Sequence, residues 1–520
     1  MIIKYIKNHK YIIPAVFMML LFYIGIAGMI PYTHDDWEWG TETGLTHLFT
    51  ADINSRFCGN LIEVILTRNE IIKTVFMALV FVLIPLSITI FASRISGINN
   101  NSNKDIVHTV IFLFANLIIL LIPADVWAQT NGWVAGFSNF VVSGGALAIF
   151  FYILAGSTSS DKTRKSRLIN SILCFIYGVM IQLFIENLTV FYFIFAVVFL
   201  IAGWKKANKK TLIPLCAGLL AGAVLMFSNN IYLSLLKTGY AVDEYRQLMY
   251  DPNQPFYVFI ADSVKCFFDV MLPLMILHHG VLAGLIAVLM AVPTYKNTKN
   301  KLLGLCLTII NGALCLYYVA TYVAGVITGR QSIENSFLSS TIDFIFVLLI
   351  FIEIFLAYRD RKRLFSWLMI LWLSPFLVIA PMLMVNTVGP RSFFTVYICL
   401  ILFGATVLGV LLSGAGKKAA GIILSLTAAL TLVICVRWIV IYKAISVETR
   451  TRKMQIETAV ANGDKYIHFD RFPYDEYLWF PDPKDPERIV WFKDFYGIPE
   501  DTVIVFKKWE DQGGLPDIQE

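Results

Sequence analysis

Apolar runs of roughly 20 residues, the length a helix needs to cross a hydrocarbon core, recur along most of the chain. They cover Tyr11–Ile30, Ile71–Phe91, Ile106–Ile122, Gly136–Leu154, Leu168–Phe184, Leu188–Gly203, Leu212–Phe227, Val264–Val292, Leu302–Ile327, Phe337–Tyr358, Leu364–Val385, Phe393–Leu412 and Gly421–Tyr442. The pattern predicts an all-α polytopic membrane protein with about 13 transmembrane helices. The run Val264–Val292 is overlong. Pro273 and Gly280 predict a kink inside it, or its first part is an interfacial helix. No small-residue cleavage site follows the first run, which therefore reads as a retained span.

Past about Ser446 the pattern changes, and charged residues with Pro473, Pro481, Pro483, Pro486 and Pro499 replace the apolar runs. Lys465–Arg471 alternates as a strand does, Thr502–Phe506 reads as a second strand, and Arg488–Tyr496 as a short helix between them. The expected division is a transmembrane domain over 1–445 and a small α/β C-terminal domain over 446–520.

Charge fixes the expected orientation. Basic residues gather in alternate turns: Arg94 and Lys104; Lys162, Arg164, Lys165 and Arg167; Lys205, Lys206, Lys209 and Lys210; Lys296, Lys299 and Lys301; Arg359, Arg361, Lys362 and Arg363; Lys417 and Lys418. Cytoplasmic loops carry such an excess, so these turns and the N-terminus, with Lys4, Lys7 and Lys10, are expected inside. An odd span count then puts the C-terminal tail outside. The loop 31–70 and the segments around Asp125–Ala135, Glu186, Asn229–Ile260, Thr328–Asn335 and Asn386–Arg391 are expected outside as well.

Composition agrees with a lipid environment: 58% of residues are hydrophobic and 15% charged, a balance that would leave a soluble protein with too much exposed apolar surface. All cysteines but Cys58 lie in or beside apolar runs, which excludes a disulfide framework and a cysteine metal site. No phosphate-binding glycine loop, zinc motif or internal repeat is present, and the basic residues serve topology, so no nucleic-acid partner is expected. The wealth of Ile, Asn and Lys fits an AT-rich bacterial genome.

Candidate chemistry starts in the loop 31–70, where Asp35 and Asp36 sit between aromatic residues at the end of the first span. Charge beside a bilayer is costly and usually functional. Later in the loop, Arg56, Asn60, Glu63 and Thr67 fall on one stripe of a helix whose other side is apolar. That predicts a helix lying in the membrane interface, either as a plain surface element or with Arg56 and Asn60 aimed at a cavity shared with Asp35 and Asp36. On the same side lie Asn139, one turn into the fourth span, Glu186 and Asn187 at a tight turn, Arg391 after Gly389-Pro390, and Arg330. An arginine on the side that avoids positive charge suits an anionic phosphate. Asp262, Lys265, Asp269, His278 and His279 line the eighth run and read as satisfied pairs or a proton path, without metal spacing.

This pattern resembles the GT-C class of membrane glycosyltransferases. The motifs are His34-Asp35-Asp36-Trp37, Arg56-Phe57-Cys58-Gly59-Asn60-Leu61, Gly136-Phe137-Ser138-Asn139-Phe140, Glu186-Asn187 and Gly389-Pro390-Arg391, with Phe492-Lys493-Asp494-Phe495-Tyr496-Gly497-Ile498 in the tail. They are similar to bacterial Gtr-type enzymes that decorate surface polysaccharides. The resemblance implies transfer of a sugar from a polyprenyl-phosphate donor to a cell-surface glycan on the extracytoplasmic face. It makes Asp35 or Asp36 the general base and Arg391 the donor-phosphate ligand; Arg56, Asn60, Asn139, Glu186, Asn187 and Arg330 are the further binding candidates that the residues themselves offer. Some members of the class use a divalent metal; no ligand set is evident in this sequence, and none is expected. Two other readings stand beside it, a lipid-linked saccharide flippase or transporter and a polysaccharide polymerase.

Overall fold

The computed structural model describes residues 9–98, 103–157, 168–203, 208–239, 247–250, 253–328, 337–386 and 388–506. Among the described residues, ten helices are long and apolar enough to cross a membrane, or eleven if one bent pair counts as a span. The chain is thus a helical, membrane-embedded protein. All the apolar runs fall on helices. Three of them fall outside the ten: Ile106–Ile122 meets the pair Lys104–Leu120 and Ala124–Thr130, bent by 94°, and two more meet the shorter helices Ile169–Ile181 and Glu186–Val198.

The overlong run Val264–Val292 is broken. A helix Phe256–Cys266, none of whose residues is buried, passes into a π-helical turn Phe267–Met271, and a separate helix Gly280–Asn297 makes the crossing. Gly280 permits close packing at its start, because a Cβ there would collide with the carbonyl of Tyr318 on Lys301–Thr328.

Connections sort into two ends of the bundle. At one end the backbone N–H of Tyr11 donates to Asp105, that of Asn208 to Ser157 O at 2.8 Å, and Asn297 to Ala357 O at 3.1 Å. The described basic turns lie there. The loop 31–70, the bend near 121–136, the turn 182–187 and the segment 385–393 meet at the other end.

The last span departs from its expected boundary. Helix Lys417–Asn462 runs unbroken for 46 residues, roughly 70 Å against a hydrocarbon core of roughly 30 Å. An aromatic stack seats it: Trp127 and Trp438 lie 3.9 Å apart, and Trp127 Nε1 donates to the Tyr442 hydroxyl at 2.7 Å. Trp438 Nε1 satisfies the carbonyl of Leu120 at 2.9 Å, one of the acceptors left over where Lys104–Leu120 ends. Beyond Asn462 the expected strands form and pair in parallel, Tyr466–Phe469 against Val503–Phe506, with helix Pro486–Tyr496 in the crossover. Arg452 ties this unit to the long helix, bonding Glu448, Asp482 (2.7 Å) and the Asp470 carbonyl, with its guanidinium over Phe472 at 3.8 Å.

Candidate functional site

Asp35 and Asp36 are neighbours with different environments. Asp36 is fully buried and accepts three backbone N–H bonds: from Thr33 (2.9 Å), Val134 (3.3 Å) and Ala135 (2.9 Å). It thereby closes its own turn and caps the start of the span Val134–Ser157, where helix N–H groups lack partners and the dipole favours an anion. Burial, and next the charge of Asp35, hold its carboxyl well above the usual range despite those donors. The Asp35 side chain is 26% exposed. Its Oδ1 accepts from Trp133 Nε1 at 2.8 Å and lies 3.3 Å from His34 Nδ1. His34 has a left-handed backbone, φ 56°.

The predicted surface helix is Phe57–Thr67, and its amphipathicity runs inside out. The polar side packs inward, with Asn60, Glu63 and Thr67 buried, while Leu61 and Ile65 are exposed, as suits an element bordered by lipid. Asn60 donates to Asn54 at 3.1 Å. Glu63 approaches the aspartates: one carboxylate oxygen from each of Asp35, Asp36 and Glu63 lies within 4.8 Å of the others. Burial first, then Asp35, Asp36 and Glu38, push the Glu63 carboxyl well above its ordinary value, and Arg56 opposes them. Asn139 sits in the π-helical turn Phe137–Val141 of the neighbouring span, donates to Ala135 O, and packs against Gly59, where any Cβ would collide with it.

Two of the expected phosphate-side residues meet each other. Arg56 and Glu186 form a two-pronged ion pair, 2.7 Å at its shortest, and the Tyr232 hydroxyl bonds Glu186 at 2.5 Å. Arg391 lies over Trp133 and Phe140, at 5.9 and 5.8 Å from their ring centroids. Asn187 points elsewhere, to Val378 O and the Met382 sulfur. Arg330 lies outside the described residues. His278 pairs with Asp125 at 2.8 Å, and His279 is buried against the Tyr397 ring.

The tail covers this end. Trp37 meets Phe492 at 5.0 Å, Tyr32 meets Phe495 at 5.3 Å, His34 meets Phe480 at 5.4 Å, and Trp133 meets Trp479 at 6.3 Å. Beside the aspartates, His47 bridges Glu38 (3.0 Å) and Asp52 (2.8 Å) and so closes the helix Glu42–Thr50 onto the loop.

Trp133 and Glu63 are the residues that sequence reasoning undervalued. The first reads as an interfacial tryptophan; the second was visible only as part of a stripe. Asp343 and Glu353, buried inside the span Phe337–Tyr358 and bonded to Tyr318 (2.9 Å) and Asn311 (2.5 Å), were hidden in an apolar run.

No family model, curated protein or solved structure matches the chain. Its chemistry must be argued from the side chains alone. The Asp35–Asp36–Glu63 group offers oxygen donors only, the set that hard divalent cations such as Mg²⁺ or Mn²⁺ prefer. Glu63 Oε1 is buried without a hydrogen-bond partner, which fits a ligand at that spot.

Proposed function

We propose that the protein is a glycosyltransferase of the bacterial plasma membrane. It moves a sugar from a polyprenyl-phosphate donor to a cell-surface glycan at the extracytoplasmic end of the bundle. The observation that carries this reading is the double use of Trp133: it donates to the partly exposed carboxylate of Asp35 and lies under the guanidinium of Arg391. A base and a phosphate ligand are therefore held on one rigid ring.

Asp35 takes the proton of an acceptor hydroxyl, the oxygen attacks the anomeric carbon, and the bond from that carbon to the phosphate oxygen breaks. Polyprenyl phosphate leaves, and Arg391 balances its charge. Asp36 holds the turn that presents Asp35. A divalent cation held by Asp35, Asp36 and Glu63 would supply charge neutralisation among three crowded carboxylates. The inward polar stripe of Phe57–Thr67 borders the site on the lipid side, where a lipid-borne donor arrives.

The test uses purified wild type, Asp35→Asn and Asp36→Asn with undecaprenyl-phosphate glucose and a bacterial cell-wall polysaccharide acceptor. Release of undecaprenyl phosphate by wild type, lost in Asp35→Asn, is expected. No release by well-folded wild type across donor sugars and acceptors rejects the reading. A transporter of saccharide lipids would then come first, since Asp343 and Glu353 are buried carboxylates within a span, a placement that commonly marks a transport pathway.

A further inference from the structure

The seam between tail and loop is closed by buried aromatic contacts at Trp37 and Phe492, 1% and 3% exposed, and is left partly open at Trp479 and Phe480. Phe480, by contrast, is 37% exposed. Its backbone is left-handed, φ 41°, and so is that of His34, φ 56°, across the seam. Bulky residues persist in that region only where the surroundings impose it, and such positions cluster at ligand sites. The rings of Trp479 and Phe480 lie 4.4 Å apart, and Trp479 is 6.2 Å from His34 and 6.3 Å from Trp133. A partly open aromatic surface thus adjoins the partly open carboxylate of Asp35 and, through Trp133, the Arg391 guanidinium.

That combination suits a pyranose. One face of such a ring carries only C–H groups and stacks on an aromatic plane; its rim carries hydroxyls that carboxylate and guanidinium groups bind. The surface is carried by the tail, which turns back along Lys417–Asn462 and packs Tyr477 on Trp438. We propose that Trp479 and Phe480, backed by His34 and the buried Trp133, form the platform on which the acceptor glycan stacks its terminal pyranose ring beside Asp35. The word acceptor rests on the transferase reading; the saccharide site itself does not.

The experiment is binding of labelled, detergent-purified full-length protein to an array of oligosaccharides ending in glucose, galactose, rhamnose or N-acetylglucosamine. Wild type is expected to bind a subset. Trp479→Ala should weaken that binding at least about tenfold, and Trp479→Phe, which keeps a stacking face, should restore most of it. Phe480→Ala replaces Trp479→Ala if the latter elutes as an aggregate. Equal binding by wild type and the alanine variants overturns the proposal, and so does failure of wild type to bind any of the four classes. Trp479-dependent binding by a protein that releases no undecaprenyl phosphate keeps the platform and removes the transferase reading.

Discussion

The indole nitrogen of Trp133 lies 2.8 Å from Asp35 Oδ1, across 98 residues of sequence. This bond joins the acidic loop to the start of the fourth apolar run, and it separates the duties of two adjacent aspartates.

The first prediction follows from that separation. Asp35→Asn should keep the fold, since it leaves the three backbone bonds of Asp36 in place, and should lower turnover by about 100- to 10,000-fold, the usual worth of a general base. Asp36→Ala leaves buried N–H groups of Thr33, Val134 and Ala135 unmet, at a cost of about 1–3 kcal/mol for each that water cannot reach. Thermal melting and undecaprenyl phosphate release, measured on the same preparations, separate the two effects.

Trp133→Phe keeps an aromatic plane beneath Arg391 but removes the donor to Asp35. Turnover should fall about tenfold, because Asp35 loses the bond that orients it. Unchanged turnover would make Trp133 a packing residue only.

Glu63 supplies a test of cation binding. Added Mn²⁺ should raise the melting temperature of wild type, and EDTA should reverse the gain. The gain should be larger at pH 8 than at pH 5, because protons compete with a cation for carboxylates. Glu63→Gln should abolish the response while remaining folded, since its amide matches the size of the acid it replaces.

The helix Glu42–Thr50 should loosen with rising pH. Burial lowers the pKa of His47, but its hydrogen bonds to Glu38 and Asp52 outweigh that and leave the ring above its ordinary value. A raised histidine contributes stability that is complete below the unfolded value, about 6.5, and is lost as pH climbs through the folded one. Asp52 is lowered, through His47, and its share disappears instead at acid pH. Amide protection factors across Glu42–Thr50, with the intrinsic base-catalysed rate divided out, should therefore be lower at pH 8.5 than at pH 6.5, and His47→Gln should remove the difference.

Much of the architecture was legible in the sequence because lipid imposes a simple rule: an apolar run long enough to cross must be a helix. The helix Phe57–Thr67 was legible for a related reason, since Arg56, Asn60, Glu63 and Thr67 repeat at its period. Two things were not. Hydropathy sees composition rather than direction, so the run Val264–Val292 spans a break; Pro273 and Gly280 pointed to a kink, but nothing pointed to the π-helical turn Phe267–Met271 or to the unwound stretch 276–279. Pairings between distant loops leave no periodic trace either. Arg56 and Glu186 are 130 residues apart, and each looked like a separate ligand until they were found bonded to one another. The length of the last helix was hidden because charged residues ended the apolar run without ending the helix, which continues to Asn462.

That continuation has a mechanical meaning. Helix Lys417–Asn462 begins among the basic turns and carries the tail at its far end, and only a minor part of its surface is buried. It is seated against Lys104–Leu120 and Ile12–Met29, with buried positions from Ala420 to Ala459. The tail does not simply hang from its tip: Tyr477 turns back onto Trp438, 5.1 Å between rings, and its carbonyl fits against Gly132, the residue before Trp133. The segment that carries Trp479 and the one that carries Trp133 are therefore pinned to one aromatic stack, and a shift of the helix would carry both together.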